Sequence, residues 1–144
     1  MSGVSNFGSN AELSFKSLEE AFPKVDAGHT PLGERVMVQI RKAVQKTKGG
    51  IIISVETQKT EHDNTQVGKL IAVGPLAFRN RDTGAKWPEG DWASVGDYVR
   101  CPKYGGDRWE VKDSLGESVV CAIFKDTDLI AKVTADPRTI RAFI

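Results

Sequence analysis

Histidine and cysteine are scarce in this chain, at two each, and that scarcity excludes much catalytic chemistry. His29 and His62 fall in predicted loops, outside any Ser/His/Asp or Cys/His pattern, and read as solvated loop residues. Cys101 and Cys121 offer neither a disulfide framework nor metal-ligand spacing, which is simplest in a reducing, cytoplasmic setting. A P-loop is missing, and no G-x-G-x-x-G follows a predicted strand. The glycine pairs at 49–50 and 105–106 are turn glycines by default, and Glu19-Glu20 lies on the exposed side of a helical pattern. Nothing points to an enzyme, a metal or a cofactor held by this chain.

An excess of charge is also missing. Twenty basic side chains face nineteen acidic ones without a polybasic block, which disfavours a protein that tracks phosphates. Trp87, Trp92 and Trp109, with Arg79, Arg81 and Lys86 nearby, raise the idea of a stacking platform for single-stranded nucleic acid. Asp82, Glu89 and Asp91 cancel the local charge, and tryptophans that pack a small barrel are the better account. No apolar run approaches the roughly 18–20 residues a membrane span needs. Residues 1–30 hold Glu12, Glu19, Glu20 and Asp26 but no arginine, unlike a transit peptide.

What remains, at 144 residues, is a single-domain pattern of short strands. Leu13, Leu18, Ala21 and Phe22 predict a helix over 11–22, with Asn10 as N-cap and Pro23 as stop. RVMVQI at 35–40 alternates as a half-buried strand, and LIAV at 70–73 ends in a Gly74-Pro75 turn. VGDYVRC at 95–101 opens on a Gly-Asp turn and stops at Pro102. RWEVK at 108–112 alternates again, VVCAIF at 119–124 is a continuous core run, and DLIAKV at 128–133 closes the series. Close spacing and Gly/Pro punctuation predict an all-β barrel or sandwich with a helical N-terminal appendage.

The stretch KGGIIISVETQKTEHDNTQV at 48–67 fits this pattern least. Three isoleucines precede a run from Glu56 to Gln66 without one apolar residue. Alone, KGGIIIS reads equally well as a buried strand or as a segment held out for another protein. The polar run that follows buries too little surface to offset its ordering entropy and is expected to be mobile.

The order of motifs then becomes informative. PLGERVMVQ (31–39), KGGIII (48–53), VGKLIAVGP (67–75), SVGDYVRCPKYGG (94–106) and DLIAKV (128–133) together resemble the GroES family of co-chaperonins, over residues 30–134. The resemblance implies a small GroES-like β-barrel at 31–134, with a mobile loop at 47–66 and a roof hairpin at 76–93. It also implies a heptameric ring that caps a chaperonin of the GroEL type and encloses unfolded client protein. Gly49 and Gly50 become the hinge, and Ile51, Ile52 and Ile53 the chaperonin-binding anchor. Nucleotide is then bound by the chaperonin partner and not by this chain. In the roof, Arg79, Arg81, Asp82, Lys86 and Trp87 are the cavity-facing candidates, with a turn at Asp82-Thr83-Gly84.

Two segments exceed the family core: residues 1–30, and the tail 135–144 (ADPRTIRAFI at 135–144), which packs locally, frays, or adds a strand to a neighbouring subunit. Decorated co-chaperonins of this kind occur among bacteriophages, where the client is capsid protein and the setting is the host cytoplasm. The competing reading is a non-enzymatic structural or interaction protein, such as a viral particle component, built on the same barrel.

Overall fold

The structure, a computed structural model, describes residues 15, 17–42 and 65–140. Among them, six strands form one antiparallel sheet: β1 (Arg35–Ile40), β2 (Val67–Val73), β3 (Tyr98–Arg100), β4 (Asp107–Lys112), β5 (Ser118–Lys125) and β6 (Ala131–Lys132). Their spatial order is β4-β5-β1-β2-β3-β6, and each neighbouring pair is antiparallel. This is the expected small all-β barrel.

Period-two alternation explains the inner face. Val36, Val38 and Ile40 of β1 meet Leu70 of β2, Val99 and Cys101 from the β3 strand and its end, and Val120, Ala122 and Phe124 of β5. Ala77, Phe78 and Ala93, at the two ends of the 76–93 excursion, join the same cluster. The run at 119–124 is central as expected, with β4 on one side and β1 on the other.

Half-burial of β1 does not hold. Every residue from Val36 to Ile40 is buried, because residues 22–30 lie as a strap across the outer face. Met37 packs with Ala27 and Cys121. Gln39 donates from Nε2 to the carbonyl of Pro23 (2.6 Å), and Trp109 donates from Nε1 to that of Ala27 (3.0 Å). A strap without periodicity leaves no trace in a hydrophobic pattern.

The N-terminal helix also differs from expectation. Among the described residues it is one turn, α1 (Leu18–Ala21). Ser17 is extended (φ −149°, ψ 166°), and its side chain accepts from the Glu20 backbone N–H, so the cap sits at Ser17 and a continuous 11–22 helix is excluded. A third apolar cluster forms here, of Ala21, Phe22 and Val67 with Phe15, Tyr98, Val133 and Ile140 against it.

Two glycines are required by close approach. A Cβ on Gly68 would sit 2.2 Å from Val38 Cγ1, and one on Gly74 would sit 2.3 Å from the Gly33 carbonyl oxygen. Both lie where β2 presses on β1 or on the turn before it.

Candidate functional site

Gly49, Gly50, Ile51, Ile52 and Ile53 lie outside the described residues, and so does His62. The structure does define the points from which their segment leaves and to which it returns. β1 and β2 are paired through Ile40 and Gly68, and the Arg41 N–H donates to the Val67 carbonyl (3.1 Å). Residues 41–66 therefore connect adjacent strands whose ends are hydrogen-bonded neighbours.

Both roots are well held. Arg41 and Thr65 are buried. The Lys42 N–H donates to the Ala21 carbonyl (3.0 Å), while its ammonium pairs with Asp113 (3.4 Å) and Glu117 in the β4–β5 turn. Asp113 accepts the backbone N–H groups of Glu117 and Leu115, and these bonds with the Lys42 ammonium hold its pKa below the usual carboxylate value. On the return side, the Gln66 carbonyl accepts from the Cys101 N–H (2.8 Å), and the Gln66 side chain bonds Arg100 and the Cys101 carbonyl.

The excursion 76–93 is a second candidate surface. It is a series of turns joined by one β-bridge, Arg79 to Lys86, rather than a regular two-stranded hairpin. The expected turn is present: the Asn80 carbonyl accepts from Gly84 N–H and the Asn80 N–H donates to Ala85, both at 2.8 Å. Asp82 and Lys86 are exposed at this end. Arg79 Nη1 donates to the Gly84 carbonyl (3.1 Å), which stiffens the loop it belongs to.

Arg81 points back to the barrel. Its guanidinium donates to Asp126 (2.6 Å) and to the carbonyls of Leu76 and Arg79, and its Nε lies 3.4 Å from Glu34. The hydrogen bond to Asp126, with the carboxylates of Asp126 and Glu34 nearby, raises the Arg81 pKa further. Asp126 is fully buried and also accepts from the Phe78 N–H (2.7 Å) and the Thr127 N–H (2.8 Å). Phe78 holds φ +61°, a left-handed conformation rare for a bulky residue. Sequence reasoning missed Asp126, although a signal was present: it continues the inward register of Val120, Ala122 and Phe124, where a carboxylate must find donors.

The tryptophans do not form one platform. Trp87 and Trp92 stack on each other (centroids 6.1 Å, 12°), and Trp92 also meets Phe78. Trp109 belongs to the outer face, with His29 against it (4.3 Å). His29 is an exposed loop residue as expected, with Nδ1 2.8 Å from the Ala27 carbonyl and its ring against Trp109. The base of the excursion and β6 border a recess of about 240 Å³ lined by Trp92, Val99, Leu129, Ile130 and Lys132, without a catalytic pair. Both cysteines are buried, and burial pushes each thiol up to about 11. Among the described residues no cluster of His, Cys, Asp and Glu suits a metal ion, and no helix is long and apolar enough to cross a membrane.

Comparison with known proteins agrees with the motif order. Residues 29–133 match the family model described as the chaperonin 10 Kd subunit. The chain is similar to the co-chaperonin GroES of Tetragenococcus halophilus, at 38% identity over 103 residues, covering 72% of this chain and 96% of that protein. It is similar also to the co-chaperonin GroES of Syntrophomonas wolfei subsp. wolfei, at 33% identity over 104 residues, covering 72% and 95%. On these matches the chain belongs to the GroES family of co-chaperonins.

Proposed function

We propose that this protein is the lid of a chaperonin of the GroEL type, capping the cylinder when the chaperonin holds nucleotide and enclosing unfolded client protein. The lid acts as a homo-oligomeric ring, heptameric as in the family resemblance, in the cytoplasm. It performs no chemistry, and nucleotide belongs to the partner.

The observation that carries this reading is the position of the 41–66 connection. A segment with Gly49-Gly50-Ile51-Ile52-Ile53 near its start leaves and rejoins the sheet at hydrogen-bonded neighbours, Arg41 and Val67. In the lid role its isoleucines serve the chaperonin and not the barrel core, which among the described residues is built from β1, β2, β3, β5 and the ends of the 76–93 excursion. In this role the two glycines give the backbone freedom to turn. Ile51, Ile52 and Ile53 enter an apolar groove on the chaperonin.

Energetics favour a reversible latch. Burying one isoleucine is worth roughly 1.5–3 kcal/mol, while ordering the backbone costs roughly 1–2 kcal/mol per residue. Most of the gain is cancelled, so one segment binds weakly. Several copies on one ring act together through effective concentration, giving tight but releasable capping. Isoleucine is stiff at χ1, which lessens the ordering loss.

The 76–93 excursion roofs the ring. Asp82 and Lys86 present both signs of charge toward the chamber, Trp87 stacks on Trp92, and Arg81 ties the excursion to the barrel through Asp126. The test is co-sedimentation of the assembled ring with a GroEL-type chaperonin, with and without ATP or ADP. Nucleotide-dependent co-migration is expected. Absence of binding under every nucleotide condition, by a ring of verified native mass, overturns the lid assignment.

A further inference from the structure

The family match ends at residues 29 and 133, and the segments beyond those ends meet at one place. Phe15, Ala21 and Phe22 from before the match and Ile140 from after it close around Val67, the first residue of β2. Arg41, the first residue after β1, runs into this contact and is fully buried. Its guanidinium lies over the Phe15 ring, 5.8 Å from the centroid. Nη1 donates to the Pro137 carbonyl (2.9 Å) and to the carbonyl of Ile140.

A guanidinium taken out of water is tolerated only where its fixed fork of donors meets acceptors. Among the described residues the acceptors of Nη1 are main-chain carbonyls of the tail, so Arg41 burial and tail docking support each other. The residue after it is tied to the N-terminal segment, since the Lys42 N–H donates to the Ala21 carbonyl. One root of the 41–66 connection is thereby gripped by both extensions. Val67, where the chain returns, sits under the same apolar side chains.

We propose that the two extensions form a collar that fixes the roots of this connection, with Arg41 as the positioning residue through which the tail acts on chaperonin docking. The inference rests on the lid reading above. Its logic is entropic: the collar holds both ends of the connection at the barrel wall. Without it, more residues must be ordered on docking, and each further residue costs about tenfold in affinity.

The test compares the parent ring with Arg41→Met and Arg41→Lys, and with Ile140→Gly, which leaves Arg41 in place and loosens the tail. Amide hydrogen exchange on the assembled rings is read at Arg41, Lys42 and Cys101, whose N–H groups close the roots, and across β4 and β5 as control. Affinity for the nucleotide-bound chaperonin is read in parallel. Arg41→Met and Ile140→Gly are expected to speed exchange at the roots alone and to weaken binding about tenfold or more, with ring mass unchanged. Arg41→Lys, which keeps a cation able to reach a carbonyl, is expected to recover part of the binding. Faster root exchange with unchanged affinity overturns the proposal and leaves the collar purely structural. Co-sedimentation of the parent ring separates the two readings: its failure to bind the chaperonin with any nucleotide overturns the lid reading itself, whatever the variants do.

Discussion

Replacing Asp126 with alanine tests how the roof excursion is held. The carboxylate is fully buried and accepts from Phe78 N–H, Thr127 N–H and Arg81 Nη2 at 2.6–2.8 Å. Thr127 and Arg81 are exposed and turn to water when the carboxylate is removed. Phe78 has no such recourse, because it is buried in the core cluster. Leaving its N–H without an acceptor costs about 1–3 kcal/mol. The same hydrogen bond helps hold Phe78 at φ +61°, so its loss lets the segment relax away from Trp92, and the strain released offsets part of that cost. Asp126→Ala should therefore destabilise by about 1–3 kcal/mol, lowering the urea midpoint by roughly 0.5–1.5 M for a slope of about 2 kcal/mol/M. Tryptophan fluorescence at fixed protein concentration reports it, since Trp92 packs on Phe78. Asp128→Ala, at an exposed site two residues away, is the control and should stay within about 0.5 kcal/mol of the parent. If Asp126→Ala matches that control, the buried-acceptor reasoning is wrong.

Gly68→Ala should lower the melting temperature markedly, because its Cβ would stand 2.2 Å from Val38 Cγ1 in the β1–β2 contact; an unchanged melting curve would show that β2 shifts freely there. Cys101 and Cys121 should react with a thiol reagent at pH 8 only on unfolding, since both are buried and their thiols are pushed up to about 11; rapid labelling of the native protein would contradict the packing. Acid should destabilise in a defined window. Asp97, Asp113 and Asp136 have pKa values lowered in the fold, chiefly by the Ser94 N–H, the Glu117 N–H and the Arg138 side chain respectively. The unfolded chain then takes up these protons first, so their stabilisation is complete above about pH 4 and is lost as pH falls through the lower folded values. A urea midpoint flat from pH 7 to 5 and falling below about pH 4 is expected, with a shallower fall for Asp113→Ala; equal acid limbs for parent and variant would refute the assignment of Asp113.

Much of the barrel was legible because its strands obey simple periods. RVMVQI, RWEVK and VVCAIF each became a strand within a residue or two of the pattern, and the Gly96-Asp97 turn opened β3 as read. What escaped was contact between segments with no period of their own. The outer burial of Met37 and Gln39 depends on the strap around Ala27 and Pro23, whose residues show no alternation. The break at Ser17 rests on one side-chain oxygen that competes with the helix, against a hydrophobic pattern that runs straight through it. Arg41 was invisible as a buried residue because its acceptors are backbone carbonyls at 137 and 140, which carry no residue-specific signal. The candidate site divides the same way. Arg79 and Lys86 are bridged at the expected turn with Asp82 exposed between them, whereas Arg81, grouped with them by the family resemblance, is committed to Asp126 by a contact distant in sequence.

The central claim is that the isoleucine segment latches this ring to a chaperonin. Sedimentation of Ile52→Asp beside the parent, with a GroEL-type chaperonin and ATP, tests it most directly. A carboxylate placed in an apolar groove removes the burial gain and adds a desolvation penalty. Every copy on the ring is affected, so loss should be near complete despite multivalency. The account predicts that the variant assembles and melts like the parent but no longer co-sediments. Co-sedimentation at parent levels by Ile52→Asp would contradict it.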